Sequence, residues 1–246
     1  PWLDNVLSPE DCVFDGFDEA LLFNASACPF AWRTALSAKF AREHDISFDE
    51  HVLFGEDQVF HFEIYPLSKR TVLLSDKLYN YRISRKDSLM QDFAYNLEER
   101  VPRHIEIVDA ILSHWRQRDL MGLCPERALD WVLDFLCFDL FNMPKGAQKK
   151  CAARLGEVLS EYFSDPVAVA NSTFPVLGEV VTAMIDIHTG RAAEIPEGIV
   201  SRYRRYRIGL KRLIIDWIRQ ILPRRTRACD VSNRTKQEIG SSIELN

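Results

Sequence analysis

No apolar run in this 246-residue chain approaches the roughly 18 to 20 residues that a helix needs to span a bilayer, so no transmembrane helix is expected. Six cysteines lie at wide, irregular intervals (12, 28, 124, 137, 151 and 229) with no C-x-x-C pair and no metal-ligand spacing. That pattern excludes a zinc ribbon or a disulfide framework and reads as reduced, mostly buried thiols of a cytosolic protein. No charged n-region followed by an apolar stretch opens the chain, so no signal peptide is expected; because it begins Pro1-Trp2-Leu3-Asp4 rather than with Met, the chain is expected to start downstream of its gene's start. Repeats of fixed period are absent. A large excess of one charge is absent too: 31 Lys and Arg stand against 36 Asp and Glu, a formal net charge of -5, which makes nucleic acid an improbable partner for the chain as a whole.

What is present is ordinary in bulk and uneven in placement. Hydrophobic residues make up 47% and charged residues 27%, enough apolar content to bury a core in one large or two small domains. The basic residues crowd late: Arg202, Arg204, Arg205, Arg207, Lys211, Arg212, Arg219, Arg224, Arg225 and Arg227 fall in one segment, which predicts a local basic surface.

Periodicity divides the chain near residue 91. Before it the pattern is mixed. Asp15 to Ala25 and Ala31 to Glu43 have helical spacing, and Glu56 to Tyr65 predicts a short helix that Pro66 ends or kinks. Thr71 to Leu74 and Leu78 to Arg82 have the β-branched and aromatic content of strands. Beyond it the pattern is helical. Leu97, Val101, Ile105, Val108 and Leu112 share one face, Leu129 to Phe141 repeats the pattern after Pro125, and Cys151 to Phe163 and Leu177 to Ile187 add further helices. Pro144-Lys145-Gly146, Asp165-Pro166 and His188-Thr189-Gly190 read as breaks between them. The expected fold class is therefore an α/β remnant followed by an all-α region: 1–91 mixed, 92–198 helical, 199–225 a basic amphipathic helix, and 226–246 a disordered tail.

The residue pair with the most chemistry is Glu56-Asp57, two carboxylates directly after Gly55 at the expected start of a helix. Backbone N–H groups and the helix dipole favour negative charge there, so the pair is expected to stay ionised at neutral pH. A carboxylate within reach of a hydroxyl is a general base; the same dipeptide is also an ordinary helix start. Trp32 has two readings, a ring that stacks on a sugar or a core residue beside Phe30 and Phe40. His51 and His61 flank the carboxylates but lack a second ligand at helical spacing, so they read as structural rather than metal-binding.

Taken in order, Ala31-Trp32-Arg33-Thr34-Ala35-Leu36, Ile46-Ser47-Phe48-Asp49-Glu50, Phe54-Gly55-Glu56-Asp57-Gln58-Val59-Phe60 and Leu78-Tyr79-Asn80-Tyr81-Arg82-Ile83-Ser84-Arg85-Lys86-Asp87-Ser88 resemble the C-terminal half of family 2 glycosyltransferases of the GT-A fold, of the bacterial kind that builds cell-surface glycans. The resemblance covers Asp15 to Met90 and implies a partial GT-A domain. It implies Asp57 as the base that deprotonates an acceptor hydroxyl for inverting attack on a nucleotide sugar, with Glu56 orienting it. Arg82 and Ser88, with Arg85 a poorer match, would close on the donor diphosphate, where a guanidinium fork and a hydroxyl suit phosphate oxygens. Trp32 would sit on the substrate side. The partners implied are a nucleotide-sugar donor and a glycan or lipid-linked acceptor.

This sequence departs from the family in one respect. The family holds a divalent cation, Mg or Mn, on a D-x-D motif, and no D-x-D occurs here. The expectation is thus a fragment or truncated product that carries the acceptor side, lacks most of the donor side, and is inactive alone.

A second reading comes from the late basic segment. Tyr203, Tyr206, Leu210, Leu213, Ile214, Trp217, Ile218, Ile221 and Leu222 recur at three- and four-residue spacing, and Pro223 ends the helix. Such a helix lies on an anionic membrane with Arg204, Arg205, Lys211, Arg212, Trp217 and Arg219 at the surface, or docks on its own bundle with a solvated basic face. Membrane contact would place the protein on the inner face of the plasma membrane. It also supports an alternative function, a non-catalytic membrane-associated or protein-interaction module.

Overall fold

The computed structural model describes residues 8–24, 30–80 and 96–221, with side chains described as far as residue 209. Its described part is mostly helical, with a single two-stranded antiparallel sheet. In chain order the elements are β1 (Cys12–Asp15), α1 (Ala20–Phe23), a 3₁₀ turn (Ala31–Arg33), α2 (Ala38–Glu43), α3 (Glu56–Leu67), β2 (Arg70–Leu73), α4 (Leu97–Gln117), α5 (Pro125–Leu140), α6 (Lys145–Tyr162), α7 (Pro166–Thr173), α8 (Pro175–His188) and α9 (Glu197–Ile221).

Of the two strands expected, 71–74 is met by β2, whose partner is β1, in the register Cys12 to Leu73 and Asp15 to Arg70. Residues 78–80 form no strand, and 81–82 lie outside the described residues. Asp15 closes a strand where a helix was expected to begin, because Gly16 takes φ 85 and its N–H bonds the Lys69 carbonyl at 2.8 Å, turning the chain out of the pair. At the other end Asp11 Oδ1 accepts from both the N–H and the hydroxyl of Ser75, each at 2.8 Å. The helix expected over Ala31 to Glu43 is also split, into the 3₁₀ turn and α2, with Ser37 capping α2 through Phe40 N–H.

Helix α3 runs through the middle of the first region and buries Val59 to Tyr65 without interruption, so it shows no solvent face along that stretch. Pro66 neither ends nor breaks it; the helix continues to Leu67 and closes on a tight Ser68 N–H to Tyr65 O bond of 3.2 Å. Helix α4 joins the two regions by burying two faces. Val101, Ile105, Val108 and Leu112 enter the core of the helical region, whereas Ile107, Ile111 and Trp115 enter the core around α3. Each large apolar side chain so buried contributes about 1.5–3 kcal/mol.

Two of the expected breaks are helix starts. Pro144 precedes α6 directly, and Asp165 caps α7 by accepting the Ala168 N–H at 2.9 Å with Pro166 as first residue. Proline is preferred there, since the first N–H of a helix has no partner in any case. α9 packs on the bundle through Tyr203, which is fully buried and donates 2.7 Å to the Leu133 carbonyl. Arg207 is buried with it, 3.0 Å from the Tyr203 hydroxyl and 2.8 Å from the Asp130 carboxylate. Among the described residues no helix is long and apolar enough to cross a membrane. The segment 226–246 lies outside the described residues.

Candidate functional site

Gly55 sets up the site. As N-cap of α3 it takes φ 79, and a Cβ there would stand 2.3 Å from Ile107 Cδ1 of α4, so glycine alone brings the helix start this close to α4. Glu56 and Asp57 occupy the first turn, Glu56 exposed and Asp57 half-buried. Phe54, just before them, stacks on His104 of α4 at 6.0 Å, and His104 stacks on Phe135 of α5 at 4.4 Å.

The Asp57 carboxyl is pushed up from 3.8 to about 6: burial is the largest cause and the neighbouring Glu56 charge adds to it, while the amides of Gln58, Ala31 and Asp57 itself act the other way. This corrects the reason expected from sequence. The first-turn amides do favour the anion, but desolvation outweighs them. At neutral pH Asp57 remains mostly ionised and is a stronger base than a solvated aspartate.

The 3₁₀ turn Ala31–Arg33 comes near this carboxylate, and its Ala31 amide favours the anion. Trp32 stacks on Phe30 at 5.0 Å and on Tyr79 at 4.7 Å. Trp32 is half-buried between Phe30 and Tyr79, and of these rings Tyr79 stands open, 53% exposed beside Leu78 at 80%. Sequence reasoning passed over Tyr79 as a candidate; its position at the head of the Tyr79-Asn80-Tyr81-Arg82 motif was the available signal. Phe48 of the 46–50 segment stacks on Phe60 of α3 at 4.5 Å. Residues of the first two motifs therefore meet the first half of α3, and Tyr79 of the fourth reaches Trp32 of the first. Arg82, Arg85 and Ser88 lie outside the described residues.

The 46–50 segment is also fastened by charge. His114 of α4 stands 3.4 Å from the Asp49 carboxylate and 3.7 Å from that of buried Glu63, and Arg118 pairs with Glu63 and donates to the Asp45 carbonyl at 3.3 Å. Of the two flanking histidines, His51 is exposed and His61 is fully buried, bonded to the Asp57 carbonyl and to Thr34.

Among the described residues no group of three or more His, Cys, Asp or Glu side chains could hold a metal ion.

The late basic cluster is only partly a surface. Arg202 bonds Glu179 at 3.0 Å, Arg204 bonds the Asn142 side chain at 2.8 Å, and Arg207 is buried on Asp130. Only Arg205 of the first four arginines is counted as exposed together with Arg202, and the exposed apolar residue beside it is Ile208, at 51%. Lys211, Arg212, Trp217 and Arg219 belong to α9, but their side chains are not described.

Compared with models of known protein families, with curated proteins and with solved structures, the chain finds no match in any of the three.

Proposed function

We propose that this chain carries the acceptor side of an inverting glycosyltransferase, which moves a sugar from a nucleotide-sugar donor to a hydroxyl of a cell-surface glycan or lipid-linked acceptor. The observation that carries the reading is the Asp57 carboxylate: half-buried in the first turn of α3 beside Glu56, and pushed up to about 6. A carboxyl held in an unfavourable place at a helix start fits a base better than a cap. The acceptor hydroxyl donates its proton to Asp57 as its oxygen attacks the anomeric carbon. A carbon–oxygen bond forms, the bond to the nucleoside diphosphate breaks, and the leaving group takes the electron pair. A base titrating near 6 accepts that proton more readily than one titrating near 4, while still being ionised at pH 7. Glu56, exposed beside it, strengthens the base through its charge. The partial GT-A assignment rests on the four motifs and on the contacts of the first two with α3.

The test is nucleotide-sugar transfer and hydrolysis by the full-length gene product, with and without Asp57→Asn. Loss of general-base catalysis lowers turnover by about 10²- to 10⁴-fold. Unchanged turnover in the variant sinks the reading.

A second reading, a non-catalytic membrane-associated module, is favoured by Arg205 and Ile208 standing exposed side by side on α9 ahead of Lys211, Arg212, Trp217 and Arg219. Sedimentation with vesicles containing anionic lipid, compared with neutral vesicles, tests it. Equal recovery with both kinds counts against it.

A further inference from the structure

Residues 46–51 form neither helix nor strand, and Ser47, Phe48, Glu50 and His51 among them are exposed. Both ends of the segment are fixed. The Ile46 N–H bonds the Ala41 carbonyl at 2.9 Å, and Val52 is buried. Between those ends two side chains fasten it to the helices. The Phe48 ring lies on Phe60 of α3 at 4.5 Å and an interplanar angle of 11°, and the Asp49 carboxylate stands 3.4 Å from His114 Nε2 of α4. The two oxygens of Asp49 divide the work: Oδ1 accepts the His51 N–H at 2.9 Å, and Oδ2 faces His114.

His114 sits between two carboxylates. Its Nδ1, buried and without a hydrogen bond, is 3.7 Å from Glu63 of α3, so each ring nitrogen faces an acid at ion-pair distance. The third charged group at this place is Arg118, at the end of α4, which pairs with Glu63 and donates to the Asp45 carbonyl at 3.3 Å. With an imidazolium, two cations face two carboxylates; with a neutral ring, Arg118 faces both and is already committed to Glu63. The Glu63 and Asp49 side chains are only 4% and 14% exposed, so a carboxylate left there without a cation is costly. Among the described residues His114 is the only cation paired with Asp49. Loss of the His114 proton therefore falls on Asp49, and movement of the exposed segment returns that carboxylate to water. Phe48 moves with it and uncovers Phe60, a core residue three positions after Asp57.

We propose that segment 46–51 is a pH-dependent strap over the first half of α3, closed while His114 is an imidazolium and released when that ring loses its proton. The strap does not depend on Asp57 acting as a base. Its sign follows from the pairing. Glu63 raises His114 most above the ordinary 6.5, burial opposes, Asp49 adds to the rise and Arg118 opposes it. The closed form thus holds the His114 proton more tightly than the open form, and closure is lost as pH rises through the closed-form value. Each pH unit of that rise is worth about tenfold in the opening equilibrium.

The test is fluorine NMR of the chain carrying 4-fluorophenylalanine at position 48 alone, together with proton NMR of the His114 Cε1–H, both followed from about pH 6 to about pH 9. The fluorine signal is expected to move toward that of a solvent-exposed ring, with the same midpoint as His114 and above the ordinary histidine value. In His114→Gln and in Asp49→Asn it should no longer follow pH. A fluorine signal that stays fixed while His114 titrates overturns the proposal, as does an imidazole that does not titrate in this range. A transition of unchanged midpoint in a folded His114→Gln protein overturns it too; should neither variant fold, the parent's two titrations decide by themselves.

Discussion

The indole Nε1–H of Trp115 donates a 2.8 Å hydrogen bond to the carbonyl of Phe62. Phe62 stands four residues before Pro66, so its carbonyl is the one that proline leaves without a helical donor. An unmet buried carbonyl costs about 1–3 kcal/mol, and Trp115 removes that cost from another helix. This is how α3 passes through Pro66 without breaking.

Trp115→Phe is therefore expected to destabilise the protein by roughly 2–4 kcal/mol, from the unmet carbonyl plus lost ring volume. In a Pro66→Ala background the alanine N–H supplies the missing donor, and the same substitution should cost about 1 kcal/mol less. Urea unfolding of the two single variants and the double variant measures that coupling. Strict additivity would show that the indole and the proline are unrelated.

Asp57 has the opposite sign from most buried ion pairs. Its carboxyl titrates near 6 in the folded chain against 3.8 ordinarily, so between those values the folded state holds more protons and stability falls as pH rises. Asp57→Asn removes that penalty while keeping the shape of the side chain. Discounted for solvent at a half-exposed site, it should stabilise the protein by roughly 1–3 kcal/mol at pH 7 and by little at pH 4. Thermal melts at the two pH values check the difference.

His114 titrates in a separate window. Glu63 raises it most, burial opposes, and Asp49 adds to the rise. A histidine raised on folding contributes stability that is fully present below its unfolded value of about 6.5 and is lost as pH rises through the folded value. His114→Gln should cost about 1 kcal/mol at pH 6, less at alkaline pH, with Glu63 still paired to Arg118. Melting temperature across that range, parent against variant, is the measurement; a pH-independent difference would remove the ion pair from the account.

Gly156 of α6 meets the backbone of α8: a Cβ there would lie 2.4 Å from the Met184 carbonyl oxygen. Helix propensity alone favours Gly156→Ala by about 1 kcal/mol. The clash is with backbone rather than a movable side chain, so overpacking of about 1–3 kcal/mol should win and the variant should unfold at lower urea. A stabilised variant would mean that α6 and α8 separate freely.

The helices were legible where one apolar face repeats over several turns. Leu97 to Leu112 and Leu129 to Phe141 announce α4 and α5, and the stripe beginning at Tyr203 announces α9, because a 3.6-residue period survives whatever the partner is. Glu56-Asp57 at the start of α3 was legible for a related reason, since Gly55 and two acids are local signals. The breaks at Pro144 and Asp165-Pro166 do separate helices, and each also starts the next one, since proline marks a helix start as well as an end.

Sequence by itself determined the long helices of the second region, the place of the carboxylate pair and β2, all of which depend on near neighbours in the chain, but not the short helix α7. Tertiary structure alone decided what each of these touches. It paired β2 with Cys12–Asp15, stacked Tyr79 on Trp32, buried Arg207 against Asp130, and raised Asp57 where the local amides would have lowered it. Burial and pairing are set by residues tens of positions away, and no local pattern carries that distance.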